Sequence, residues 1–256
     1  MTDKPRHPGL LADLRPKPQP SYAGSVVFIF GRLADAPLQY LFFSKEWADA
    51  VLNALGLRGS NTNVLVRGGS LAPIPTALIA TYAIGGLRHT YHTLFTASFN
   101  FPPSAAIPVA LLNCILDTIN TLFAVNALVS SPNLVNFGWK QYTGLGLFVL
   151  GIAMEIISEE GRKRFKRDRR NEGKVVDTRL WSFVRHPNYL GYTLWRAGIS
   201  LTTGSLTATA LLTSFQVWVF YTQSVPELAG WMARKYGARW AEHTRKVPYA
   251  LIPGVW

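Results

Sequence analysis

Long stretches without a charged residue recur along this chain and set its hydrophobic pattern. Four of them lie at residues 68–87, 89–116, 118–139 and 197–226. A helix of about 20 residues, rising about 1.5 Å per residue, crosses the roughly 30 Å hydrocarbon layer of a bilayer. The pattern therefore predicts an all-α fold, a polytopic membrane helical bundle.

The apolar segments predict about six membrane spans. The first four are residues 25–43, 71–87, 105–129 and 141–157, and the last two lie within residues 189–221. That last stretch is too long for one crossing, and Thr-Thr-Gly-Ser at 202–205 divides it into a helical hairpin. The C-terminal run 228–244 mixes polar and aromatic residues, so we expect it at the membrane surface.

Several of the predicted spans contain charged residues that need partners. Arg32 and Asp35 interrupt the first span, and Arg196 precedes the longest uncharged stretch. A charge within a bilayer is costly unless it pairs, reaches the interface or faces the protein interior. We therefore expect Arg32 and Asp35 to pair or to face inward, and Arg196 to snorkel, pair or bind an anion.

The composition supports a membrane protein. Hydrophobic residues make up 48% of the chain and charged residues 16%, whereas soluble domains carry about 25% charged residues. The net charge of +12 does not indicate nucleic acid binding, because the basic residues cluster in the N-terminal tail and the loops. We expect the lipid bilayer and a hydrophobic small molecule as partners, no nucleic acid and no metal site.

The chain divides into a tail and a membrane domain. Residues 1–22 are basic and proline-rich and lack the apolar core of a signal peptide, so they predict a disordered cytosolic tail. Residues 23–256 form the predicted membrane-embedded domain. The basic loop 162–174 follows an apolar segment directly, which places it on the cytosolic side by the positive-inside rule.

The segment Arg-His-Pro-Asn-Tyr-Leu-Gly at residues 185–191 is the sharpest local motif. Pro187 suits the first turn of a helix, so a helix is predicted to begin near His186. Its unpaired backbone N–H groups, beside Arg185 and His186, would form an anion site at the membrane boundary. The plainer interpretation is that Arg185, His186 and Tyr189 are interfacial anchors.

A second group of polar residues comes just before this motif. Glu155, Glu159 and Arg162 or Lys163 are spaced so that they share one face of a helix. Glu155 lies at the end of an apolar stretch, where a carboxylate needs a partner or a role. These groups either hold the polar parts of a nucleotide or form a solvated row of ion pairs.

These motifs, taken in order, resemble the C-terminal domain of the steroid 5-alpha-reductase superfamily, including its reductase-like branch. The resemblance rests on Glu155 to Glu159, residues 164–166 and 171–174, Leu180-Trp181, the motif at 185–191 and the closing segment 246–253. The motif RHPxYxG alone does not distinguish this superfamily, because isoprenylcysteine carboxyl methyltransferases also carry it.

The resemblance implies a helical membrane enzyme of the endoplasmic reticulum that reduces a carbon-carbon double bond with NADPH. The substrate would be a hydrophobic enone such as a sterol, terpenoid or polyketide. The residues implied in cofactor binding are Glu155, Glu159, Arg162, Asn171, Arg185, His186, Asn188, Tyr189, Arg245 and Lys246.

The reduction also needs a proton donor for the enolate oxygen. The superfamily places a Tyr with nearby His residues on an N-terminal span, and residues 88–92, Arg-His-Thr-Tyr-His, look like that segment. The resemblance makes Tyr91 the donor, with Asp35 to orient it. Tyr91 is equally well explained as an interfacial aromatic residue.

One departure from the superfamily leaves other functions open. Tyr192 stands where the superfamily usually has an acidic residue, so it cannot supply a carboxylate to the cofactor. The first alternative is a membrane methyltransferase that uses S-adenosylmethionine. The second is a member of the fold without redox chemistry, which binds or isomerises a lipid.

Overall fold

The computed structural model describes residues 21–45, 47–57, 65–67, 70–97, 102–130 and 136–256. Most of these residues are helical, which confirms the all-α class. A two-stranded antiparallel hairpin joins β1 (Val66–Arg67) to β2 (Ser70–Leu71). The predicted tail lies outside the described residues except for Ser21 and Tyr22, which cap and begin the first helix.

The helices follow the predicted apolar segments closely. They are α1 (Tyr22–Ser44), α2 (Trp47–Ala54), α3 (Pro73–Tyr91), α4 (Pro103–Ser130), α5 (Trp139–Arg167), α6 (Pro187–Thr202), α7 (Leu206–Val219), α8 (Val225–Tyr236) and α9 (Ala238–Lys246). A π-helical turn, His92–Thr96, extends α3, and a second, Phe220–Ser224, joins α7 to α8. A proline is the first residue of α3, α4 and α6. The N–H that proline lacks would have no hydrogen-bond partner within the helix at this position.

The predicted count of six spans is not confirmed. In the described part of the chain, α1, α4 and α5 are long and apolar enough to cross a membrane. The hairpin at 202–205 exists, but α6 has 16 residues and α7 has 14. At about 1.5 Å per residue, each is shorter than the roughly 30 Å hydrocarbon layer.

Helices α5 and α6 pack antiparallel with their backbones in close approach. A Cβ atom on Gly191 would lie 2.8 Å from the backbone N of Glu155 and 2.8 Å from the carbonyl O of Gly151. A Cβ on Gly198 would lie 2.6 Å from the backbone N of Phe148. Only glycine permits this approach, a common device between membrane helices, and it fixes the start of α6 beside Glu155.

Buried ion pairs join α1, α4 and α6. Nη1 of Arg32 lies 2.7 Å from Oδ2 of Asp35, and Nη2 of Arg32 lies 3.4 Å from Oδ2 of Asp117. The other Asp117 oxygen is 2.7 Å from Nη1 of Arg196. The expectations that Arg32 and Asp35 pair and that Arg196 finds a partner are thus confirmed, because Asp117 bridges both arginines.

Candidate active site at the start of helix α6

The shared face predicted on α5 exists and contacts the start of α6. Asn188 donates a hydrogen bond from Nδ2 to Oε1 of Glu159, over 2.9 Å. Arg162 donates from Nε to Oε2 of the same carboxylate, over 3.1 Å. Because Glu159 is buried, these two donors are needed to stabilise its charge. The motif at 185–191 and the acidic face of α5 therefore form one cluster.

Glu155 lies one helical turn before Glu159 and has different partners. Its Oε1 is 3.1 Å from Nη2 of Arg88, and its Oε2 accepts a hydrogen bond from Nε1 of Trp195 over 2.9 Å. Arg88 is 4% exposed, and its three guanidinium nitrogens have no hydrogen-bond partner of good geometry among the described residues. A buried guanidinium with unused N–H groups is suited to receive a further acceptor.

The end of α3 runs along the C-terminal part of α5. The Tyr91 hydroxyl donates to Oε1 of Glu160 over 2.7 Å, with Tyr91 37% exposed. Nη2 of Arg162 donates to the carbonyl oxygen of Thr96 over 3.0 Å. The segment from Arg88 to Thr96 therefore contacts α5 beside the site.

Two buried polar atoms at the start of α6 lack partners in the described part of the chain: Nε2 of His186 and Oδ1 of Asn188. Burial, followed by the charges of Arg185 and His243, lowers the pKa of His186 to about 3. The imidazole is therefore neutral at physiological pH. Since buried polar groups are nearly always hydrogen-bonded, both atoms are suited to contact a bound ligand.

Aromatic rings surround this position. The ring of Tyr189 stacks on His186 with centroids 5.3 Å apart, and on Phe220 with centroids 4.6 Å apart and planes at 7°. The stack fixes the His186 ring and gives the site an apolar side. Such a mixture of apolar surface and a few polar atoms is typical of small-molecule sites.

Arg185 holds the C-terminal segment in place. Its Nη1 donates to the carbonyl oxygens of Val247 and Pro248, over 3.1 and 2.7 Å. The backbone N–H groups of Arg185 and His186 donate to the carbonyl oxygens of Tyr249 and Ala250. Helix α6 begins at Pro187, as predicted. The guanidinium group of Arg185, which was expected to bind an anion here, is instead hydrogen-bonded to carbonyl oxygens of the C-terminal segment.

Three of the predicted cofactor-binding residues lie apart from this cluster in the contacts they make. Asn171 donates to the carbonyl oxygen of Phe165, and Lys246 pairs with Glu242 at 2.7 Å. Arg245 is exposed on α9. Among the other predicted residues, Glu159, Arg162 and Asn188 are joined by hydrogen bonds. Glu155 lies one helical turn before Glu159, and His186 and Tyr189, which flank Asn188, stack on each other.

Tyr91 and Asp35 share no hydrogen bond in the described residues. Asp35 accepts from Arg32 and Gln39 inside the bundle. Arg32 also donates from Nε to Nδ1 of His89, over 3.0 Å, so Asp35 reaches the end of α3 through two intervening side chains. The roles proposed for Tyr91 and Asp35 remain predictions.

Sequence reasoning missed Arg88 as a site residue. The signal was available, because Arg88 is the one charge between the uncharged stretches 68–87 and 89–116. The position of Tyr192 also could not be predicted from the motif at 185–191. Its hydroxyl donates to Oδ1 of Asn113, and its ring contacts Trp195 at 4.9 Å and His89 at 6.1 Å. It therefore lies between the site and the buried ion pairs.

The fold and the site together define an all-α integral membrane protein. Its polar site lies where α5 and α6 pass from apolar to polar residues. The family described as protein of unknown function DUF1295 matches residues 107–247, and the chain belongs to that family. The family is shared by steroid 5-alpha-reductase-like proteins and isoprenylcysteine methyltransferases.

Curated relatives include enzymes of both kinds. The chain is 28% identical over 222 residues to a probable O-methyltransferase, ustE, of Ustilaginoidea virens, covering 81% of this chain and 78% of the relative. It is 27% identical to a protein-S-isoprenylcysteine O-methyltransferase of Schizosaccharomyces pombe, over 58% of this chain and 66% of the relative. It is 26% identical to the mouse delta(14)-sterol reductase TM7SF2, over 86% of this chain and 45% of the relative. These relatives make the chain a membrane enzyme of this superfamily.

Proposed function

We propose that this chain is an O-methyltransferase that uses S-adenosylmethionine and acts on a hydrophobic substrate. The observation that carries the proposal is the charge balance of the site. Glu155 and Glu159 face Arg88 and Arg162, two negative charges against two positive ones. These four charges cancel, and the remaining cation beside the site, Arg185, is hydrogen-bonded to carbonyl oxygens of the C-terminal segment.

This balance suits S-adenosylmethionine better than a dinucleotide phosphate. NADPH carries a pyrophosphate and a further phosphate, which proteins bind with Arg, Lys and helix N-termini. Here Arg185 is bonded to the C-terminal carbonyls, and Lys246 is paired with Glu242. S-adenosylmethionine carries no phosphate, and its positive sulfonium and ammonium groups favour a site with buried carboxylates.

Particular residues would hold this cofactor. His186 and Asn188 have unused polar atoms for the adenosine and amino acid groups, and Tyr189 would hold the His186 ring in position through their stacking contact. Glu159 would orient Asn188 through their hydrogen bond. When bound, S-adenosylmethionine supplies an electrophilic methyl group, which passes to a nucleophilic oxygen while its sulfur leaves as a neutral thioether. The protein's part is to align that oxygen and exclude water.

Two of the relatives support the same choice. The probable O-methyltransferase matches most of both chains, and the fission yeast relative is also an O-methyltransferase.

A second candidate is the NADPH-dependent reduction of a hydrophobic enone. The match to the mouse sterol reductase over 86% of this chain favours it, as does the position of Tyr91 at the edge of the site. In that reaction Tyr91, hydrogen-bonded to Glu160, would donate a proton to the enolate. For either activity, we place the protein in the endoplasmic reticulum membrane, with loop 162–174 in the cytosol.

Ligand-dependent stability separates the candidates. We expect S-adenosylhomocysteine to raise the Tm of the full chain purified in detergent, and NADPH to leave it unchanged. A ligand at 100 times its Kd stabilises the folded state by about 2.7 kcal/mol. Glu159→Gln should reduce this effect, whereas Glu242→Gln on exposed α9 should not.

The opposite pattern, stabilisation by NADPH alone, would reverse our order of candidates. No stabilisation by either compound would favour the alternative without redox or transfer chemistry.

A further inference from the structure

A separate cavity of about 180 Å³ lies beside the cytosolic half of α5. Its lining includes Ile157 and Phe165 from α5 and Leu180 and Trp181 from the 3₁₀ turn Arg179–Ser182. Nε1 of Trp181 donates to the carbonyl oxygen of Ser158 over 3.0 Å, which holds the turn against the helix. None of the site residues described above lines this cavity.

Two arginines, Arg164 and Arg179, also line the cavity, and no carboxylate does. Both side chains are exposed. Neither is in an ion pair within the part of the chain that the structure describes. This contrasts with Arg162 and Arg170, which are paired with Glu159 and Asp168. The cavity therefore combines two accessible cations with an apolar floor.

The backbone of Arg179 is unusual. Its φ of +54° is the one positive φ of a non-glycine residue in the described ranges. A left-handed conformation is unfavourable for a long side chain and tends to persist where a function benefits from it. Here it accompanies the turn that places Arg179 and Trp181 at the same cavity.

The order of residues along α5 predicts that the cavity lies at the depth of the phospholipid headgroups. Ile157, which is 52% exposed, ends the apolar part of α5, and the basic run 162–170 follows it. Basic residues directly next to a membrane helix attract anionic lipids. Tryptophan is enriched at the same interface.

We propose that this cavity binds the phosphate group of an anionic glycerophospholipid. Arg164 and Arg179 would bind the phosphate oxygens, while Ile157, Phe165 and Leu180 would contact the glycerol and the first acyl carbons. The absence of a carboxylate in the lining disfavours a zwitterionic headgroup, whose ammonium would meet two arginines.

The test is a titration of the full purified chain in detergent with dioctanoyl phosphatidic acid, dioctanoyl phosphatidylcholine or sodium phosphate. Tryptophan fluorescence and Tm are the readouts. We expect saturable binding of phosphatidic acid, weakened at least about tenfold in the double variant Arg164→Gln/Arg179→Gln, which corresponds to about 1.4 kcal/mol. The control, Arg167→Gln/Arg169→Gln, removes two exposed charges outside the cavity and should weaken binding much less.

Each other outcome would overturn the proposal. Equal weakening in both double variants would mean general attraction to the basic run. If inorganic phosphate bound with the same affinity as phosphatidic acid, the cavity would be a site for free anions. If phosphatidylcholine bound with the same affinity, the two arginines would not select an anionic headgroup. If the double variant fails to fold, Arg179→Gly, which suits the positive φ, supplies the same comparison with one charge removed.

Discussion

At the scale of single residues, the neighbours Arg185 and His186 have different functions in the structure. Sequence reasoning assigned both to cofactor binding. Arg185 instead donates hydrogen bonds to the carbonyl oxygens of Val247 and Pro248. Nε2 of buried His186, by contrast, has no partner in the described residues. One therefore contributes to stability and the other is available to a ligand.

This difference predicts different effects of two substitutions. Arg185→Gln should lower the free energy of unfolding by about 1 to 2 kcal/mol, because hydrogen bonds from a charged, half-buried donor are lost, and should leave ligand affinity unchanged. His186→Ala should also lower the Tm of the ligand-free chain, because it removes a buried ring that stacks on Tyr189, but it should in addition weaken S-adenosylhomocysteine binding about tenfold. Thermal unfolding with and without ligand measures both, and a ligand affinity unchanged in His186→Ala would refute its role.

Arg88 is the second residue whose environment predicts a function. It is buried and paired with Glu155, and its guanidinium N–H groups make no hydrogen bond of good geometry among the described residues. We expect Arg88→Lys to keep the charge opposite Glu155 but to lose the fork that binds a carboxylate or similar acceptor.

The expected result for Arg88→Lys is folded protein with methyl transfer reduced about 10- to 100-fold, corresponding to roughly 1.4 to 2.7 kcal/mol of lost transition-state binding. The steady-state rate of methyl transfer to a hydrophobic carboxylate acceptor is the assay. Unaltered transfer rates would show that Arg88 serves only to neutralise Glu155.

At the scale of elements, the contact between α5 and α6 positions the site. Gly191 and Gly198 bring the two backbones together, so that Asn188 and Trp195 on α6 reach Glu159 and Glu155 on α5. A larger side chain in this contact has to separate the helices.

Gly191→Ala should therefore destabilise the protein by about 1 to 3 kcal/mol, because its Cβ would clash with backbone atoms that cannot move alone. The matched control is Gly146→Ala on the partner helix α5, where a Cβ meets nothing within 4 Å. That change should be neutral or slightly stabilising, since alanine favours helix. Equal Tm values for the two variants would contradict the packing described here.

At the scale of the whole molecule, Asp117 connects the first helix to the helix of the site. Its two oxygens pair with Arg32 on α1 and Arg196 on α6, and its side chain is fully buried. Tyr192 links the same region to α4 through Asn113. The bundle is thus fixed by charges that would be unfavourable if any one of them stood alone.

Asp117→Asn should cost about 3 to 5 kcal/mol of unfolding free energy, because removing one partner leaves buried charges uncompensated. Asp168→Asn, which breaks the exposed pair with Arg170, should cost at most about 1 kcal/mol. Chemical unfolding of both variants in detergent measures the contrast. Similar losses in the two would mean that water reaches Asp117.

The sequence by itself determined the helical membrane class, the positions of the helices and the start of α6. These follow from local causes: uncharged stretches favour membrane helices, Pro187 favours a first turn, and Thr-Thr-Gly-Ser interrupts a helix. The shared face of Glu159 and Arg162 also follows from helical spacing alone. The same rules do not fix the number of spans, because α6 and α7, on either side of the predicted break, are shorter than the hydrocarbon layer.

Only the tertiary structure decided which polar residues meet. Arg88 lies 67 residues before Glu155 in the chain, and no local pattern links them. The bonds of Arg185 to the C-terminal segment, and the bridge of Asp117 between two arginines, likewise join distant parts of the chain. Such pairings are set by helix packing, because a buried charge takes whichever partner the neighbouring helices bring within reach, and that partner is not encoded in the spacing around it.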